Sequence, residues 1–146
     1  MSEFKCIFLD HELDADPALH FYADFFLNYQ PSKWQKGGGD GVFSFISDDG
    51  YKAQLCVLES KGLGISVRYN LRAAGEREGV EFYSVGQPEK MNRVEDFGDD
   101  QWVPAGSFLA PMKAWLAVED FFHHPLEKSS RMGWLSSHEI CWPDKC

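Results

Sequence analysis

The sequence predicts an α+β fold: an antiparallel β-meander of about five or six strands with two helices packed on it, as a single domain over residues 1–146. Three observations predict it. Leu63, Ile65, Val67, Tyr69 and Leu71 alternate with Gly64, Ser66, Arg68, Asn70 and Arg72, a period of two with one buried and one wet face. Turn signals at Asp48-Asp49-Gly50 and Ser60-Lys61-Gly62 make neighbouring strands hairpin partners. Two segments of helical spacing lie on either side of this series. A chain of 146 residues buries about 68–70% of the surface its unfolded form exposes, enough for a core without a metal or a disulfide.

In chain order, Phe4 to Leu9 reads as a first strand. Asp16 then serves as N-cap with Pro17 at the first helical position. Leu19, Tyr22, Phe26 and Tyr29 follow at helical spacing, and Gln30-Pro31-Ser32 ends the helix. Gly37 to Gly41 is a flexible connection. Val42–Ile46, Tyr51–Glu59, Leu63–Arg72 and Val80–Val85 are the meander strands. Gly86 to Gly106 has little periodicity. Pro111 opens a second helix running to Phe122, with Met112, Trp115, Leu116, Val118 and Phe122 as its apolar face and Pro125 as its stop. Ser129 to Ser137 reads as a loop and His138 to Trp142 as a short last strand.

Composition narrows function. Fourteen basic residues face 23 acidic ones, a net charge of -9 that repels nucleic acid and anionic membranes. Aromatics make up 15% of the chain, which excludes a disordered segment. No apolar run reaches the roughly 18 residues of a membrane span, and the start Met-Ser-Glu-Phe-Lys-Cys has no signal-peptide pattern. A cytoplasmic location is therefore expected. Cys6, Cys56, Cys141 and Cys146 form no C-x-x-C pair, and free thiols are expected, the first three as small buried hydrophobes.

Motifs for catalysis are scarce. The five histidines include no H-E-x-x-H, and His138-x-x-Cys141 on a strand would point its two side chains to opposite faces. No G-x-S-x-G is present, and Cys6 lies in an apolar run that raises a thiol pKa. Gly37-Gly38-Gly39-Asp40-Gly41 lacks the Lys-Ser/Thr of a P-loop and precedes a strand. No cofactor and no metal are expected.

The acidic segment stands out. Between Glu76 and Gln101 eight acids face three bases, a local net of -5 that is over half of the chain's excess. Its densest part, with Glu89 ahead of it, is Glu95-Asp96-Phe97-Gly98-Asp99-Asp100-Gln101-Trp102. Read blandly, this is a solvated loop. Read functionally, Glu89, Glu95, Asp96, Asp99 and Asp100 steer a basic protein partner, and Phe97 and Trp102 anchor it.

The order of elements resembles a known family. Tyr51-Lys52-Ala53-Gln54-Leu55-Cys56-Val57 is followed by Gly64-Ile65-Ser66-Val67-Arg68-Tyr69, then by Phe82-Tyr83-Ser84-Val85-Gly86 and Val103-Pro104-Ala105-Gly106-Ser107-Phe108-Leu109. The helix from Pro111 to Phe122 and Ile140-Cys141-Trp142 complete the pattern. It is similar to the first-numbered immunity protein family of bacterial polymorphic toxin systems, over about Val42 to Pro143. The stretch from His123 to Ser137 departs from the brief Gly-x-x-Pro link of that family. The resemblance implies a cytoplasmic immunity protein, not an enzyme, that binds and neutralises a cognate toxin domain, often a nuclease or a deaminase, and the acidic segment makes a basic toxin the expected partner. Two other classes compete: a small enzyme with a site around His138, Cys141 and the acids, and an adaptor or chaperone for a secreted protein.

Overall fold

The computed structural model describes residues 3–9, 11–14, 19–98 and 100–144. Its elements are β1 (Glu3–Phe8), β2 (His11–Asp14), α1 (Leu19–Leu27), α2 (Pro31–Lys36), β3 (Asp40–Ile46), β4 (Lys52–Ser60), β5 (Gly64–Arg72) and β6 (Val80–Ser84). β7 (Val94–Asp96), β8 (Trp102–Pro104), β9 (Phe108–Leu109), α3 (Pro111–His123) and β10 (Trp134–Ser136) follow. One antiparallel sheet runs β10-β6-β5-β4-β3-β1-β2, and β9 pairs with β5 beside β6. β7 and β8 form a separate hairpin. The α+β reading and the meander β3-β4-β5-β6 hold; the sheet gains edge strands and a third, short helix.

The period-two pattern of β4 and β5 explains the main layer. Ala53, Leu55, Val57, Ile65, Val67 and Tyr69 all face one side and are buried there. Cys6 and Phe8 of β1 and Phe43 of β3 extend this face. Tyr22 and Phe26 of α1, Trp34 of α2, and Ala114, Trp115, Val118 and Phe121 of α3 cover it. The packing is aromatic: the Phe8 ring meets Tyr22 at 5.4 Å and Trp34 at 5.2 Å edge to face, and stacks on Phe43 at 5.7 Å between centroids. Gly41 has no room for a side chain, because a Cβ would come within 2.5 Å of the Phe8 ring.

Several elements differ from the sequence reading. Pro31 starts α2 instead of ending α1, the position a helix tolerates because its first N–H groups lack partners anyway. The buried face of α3 is Ala114, Trp115, Ala117, Val118 and Phe121 with Phe122 packed beside it, whereas Met112 falls on the opposite side of the helix and is 67% exposed. The last strand is Trp134–Ser136, not His138–Trp142. Trp134, Leu135 and Ser136 pair with Ser84, Tyr83 and Phe82, and the Ser136 hydroxyl then accepts the His138 N–H and turns the chain into a 3-10 turn. Cys141 is disulfide-bonded, which corrects the free-thiol expectation there; Cys6 and Cys56 are free. The Asp16 N-cap, Pro17 and Cys146 lie outside the described residues.

The second face of the sheet is not uniformly wet. Tyr83, Met91, Val103, Phe108 and Ile140 form a smaller core over one end of it, with Leu58, Phe97, Leu135 and Trp142 packed around them. Behind this core Ser66, Ser84 and Ser107 are buried and mutually bonded. The Ser66 and Ser107 hydroxyls lie 2.6 Å apart, Ser84 donates to the Ser107 carbonyl at 2.7 Å, and Ser107 donates to the Pro104 carbonyl at 2.7 Å. This network ties the end of β8 at Pro104 to β5 and β6 of the main sheet, and so sets where the hairpin stands.

Candidate functional site

The β7–β8 hairpin holds the densest part of the acidic segment. Val94, Glu95 and Asp96 pair with Pro104, Val103 and Trp102. Its tip is built by local hydrogen bonds. Asp96 Oδ1 accepts the Gly98 N–H at 2.9 Å, and the Phe97 N–H donates to the Gln101 carbonyl at 3.0 Å. The Gln101 amide reaches across to Asp40 Oδ2 at 3.1 Å, which ties the tip to the start of β3. Asp100 adopts the left-handed conformation, with φ of 63°, a backbone state that Asp tolerates better than most residues.

The structure brings Glu95, Asp96, Phe97, Asp100 and Trp102 onto this hairpin. Glu95 and Asp96 are exposed, and Glu95 pairs with Arg93 at 3.2 Å. Trp102 is 46% exposed, and its indole N–H donates to Asp100 Oδ1 at 2.7 Å. Phe97 has another place: it is half-buried with its ring 4.8 Å from that of Phe108, and it pins the hairpin to the smaller core. Glu89 is exposed on the 3-10 turn Pro88–Lys90, ahead of the hairpin. Asp99 lies outside the described residues.

Between the hairpin and the sheet lies a cleft of about 410 Å³. Trp102, Gln101 and Asp100 form one wall. The floor is a row of residues in register across the sheet: Val42, Cys56, Arg68 and Tyr83. In sequence Arg68 belongs to the wet face of its strand and Cys56 reads as a small buried hydrophobe; the structure leaves Cys56 only half-buried, and the pairing of four strands places these residues together. Arg68 Nη2 donates to Cys56 Sγ at 3.3 Å. Burial works against the Arg68 charge, but the neighbouring Cys56 and Tyr83 outweigh it and keep the guanidinium protonated. Burial pushes the Tyr83 phenol up, and nearby Glu81 adds to this.

No protein-family model, curated protein or solved structure matches the chain.

Among the described residues, no group of three His, Cys, Asp or Glu side chains is placed to hold a metal ion. No helix of the described residues is long and apolar enough to cross a membrane. What the arrangement offers is a contact surface: exposed carboxylates around a half-exposed indole that is held in one orientation, beside a cleft with a cationic floor.

Proposed function

We propose that this chain is a cytoplasmic immunity protein that binds and neutralises a cognate toxin domain, without catalysis of its own. One observation carries the reading. Trp102 stands 46% exposed on an acidic hairpin and is oriented by Asp100. A large aromatic in that position is the side chain that most often anchors a protein interface. The carboxylates of Glu89, Glu95, Asp96 and Asp100 around it suit a basic partner, such as a nuclease whose own cleft must attract nucleic acid. The net charge of -9 acts in the same direction over a longer range.

The test mixes the purified chain with its cognate toxin domain. The expected result is a 1:1 complex and loss of the toxin's activity at stoichiometric ratio, with loss of binding on substitution of Trp102. Undiminished toxin activity at tenfold excess of this chain would overturn the reading.

A further inference from the structure

We infer that the cleft beneath the β7–β8 hairpin receives a carboxylate side chain of the bound protein, with Arg68 as its cationic partner. The inference rests on the docking of a basic protein on the hairpin, and it adds what that protein must present there.

Arg68 is short of partners. No ion pair joins it to a carboxylate among the described residues. Its Nη2 donates to the Cys56 sulfur, a weak acceptor, the Tyr83 hydroxyl also lies within hydrogen-bonding reach of the guanidinium, and its Nε is buried with no hydrogen-bond partner among the described residues. Buried donors are nearly always paired, so an unmet one at the floor of an open cleft points to an acceptor from outside. The cleft's own carboxylates do not serve. Asp100 is engaged by the Trp102 indole and Asp40 by the Gln101 amide.

The chemistry of the walls selects the acceptor. A guanidinium offers paired planar donors that match a carboxylate. Two acids line the rim, which disfavours a dianionic phosphate more than a singly charged group. Val42, Leu58 and Trp102 give apolar sides along which the methylenes of a Glu or Asp can lie. A carboxylate set among lysines and arginines answers both parts of the site. Its basic neighbours meet the acidic rim, and the carboxylate itself meets Arg68.

The test needs no toxin. The full chain, labelled with ¹⁵N, is titrated with N-acetylglutamic acid methylamide as probe, and separately with inorganic phosphate and N-acetyllysine methylamide. The Arg68 Nε–H resonance is identified by its loss in Arg68→Lys. The Glu probe is expected to shift it saturably, together with the Trp102 indole N–H, with a dissociation constant below about 50 mM, the weak range of a single charged contact. Arg68→Gln is expected to abolish the response at the indole, and the Lys probe to give none. No saturable shift, an equal or tighter response to phosphate, or an indole response that survives in Arg68→Gln would each overturn the inference. A failure of the toxin complex with the probe response intact would instead overturn the immunity reading alone.

Discussion

Trp102 and Asp100 lie two residues apart, and the indole N–H donates to the Asp100 carboxylate at 2.7 Å across the close of the β7–β8 hairpin. The bond makes one acid of the segment an orienting group for its most exposed aromatic. Within the same hairpin Phe97 faces inward to Phe108. Two aromatics that look alike in sequence therefore have different work.

Their substitution separates the two roles. Trp102→Ala is expected to change stability by less than about 1 kcal/mol, as for a surface position, while it speeds release of the bound partner. Phe97→Ala is expected to cost about 2 kcal/mol, because a half-buried ring leaves a gap against Phe108. Urea unfolding of both variants checks the contrast.

The buried serines give a second prediction. Ser107 is fully buried, donates to the Pro104 carbonyl and neighbours the Ser66 hydroxyl. Ser107→Ala leaves both without that partner and is expected to cost roughly 1–3 kcal/mol. The lowered urea midpoint would come with an unchanged slope if the fold is kept.

Alkaline pH is expected to destabilise the chain. Burial pushes the Cys6 thiol from 9.0 up to about 11, with hydrogen bonds from its surroundings pulling back only partly. Below about pH 9 both folded and unfolded thiols are protonated. As pH rises from there only the unfolded thiol ionises, so stability is full below pH 9 and is lost towards pH 11. Burial raises the phenols of Tyr22, Tyr29 and Tyr69 from 10.0 as well, and they add to the loss from about pH 10 upward. Melting temperatures from pH 8 to 11 test this, and Cys6→Ala should flatten the early part of the fall.

Acid pH acts through a different contact. Arg131 binds Asp120 through Nε at 2.9 Å and Nη2 at 2.6 Å, and Nη2 also reaches Glu119 at 2.8 Å. Burial works to raise the Asp120 pKa, but the hydrogen bonds from Arg131 and Ser129 outweigh it and hold the carboxyl below its usual 3.8. The folded carboxylate therefore stays ionised where the unfolded one has taken a proton. Its contribution is present above about pH 4 and is lost as pH falls through the folded value. Arg131→Ala is expected to lower the melting temperature at pH 7 more than at pH 2.5, by scanning calorimetry.

Legibility in the sequence followed the range of the physics. Strands β4 and β5 were readable because Leu55, Val57, Ile65 and Val67 alternate strictly against a packed face. β10 was not, because Trp134, Leu135 and Ser136 form a strand only through pairing with Ser84, Tyr83 and Phe82 of β6. The acidic hairpin was visible as composition, and the structure sets Glu95, Asp96 and Asp100 of that segment on one projection. The division of labour between Phe97 and Trp102 depends on Phe108, which enters from another strand. The cleft floor was hidden for the same reason. Arg68 sits among alternating residues like any outward-facing charge, and only the register across β3, β4, β5 and β6 sets Val42, Cys56 and Tyr83 beside it.

The central claim, a basic partner steered onto the acidic hairpin, is tested most directly by the association rate with the toxin domain as a function of ionic strength. Glu89 and Glu95 are the acids to reverse, because neither holds the hairpin turn. The wild-type rate is expected to fall steeply with added salt, and the Glu89→Lys, Glu95→Lys double variant to associate more slowly at low salt with a flatter dependence. Equal rates and equal salt dependence for the two proteins would contradict the account.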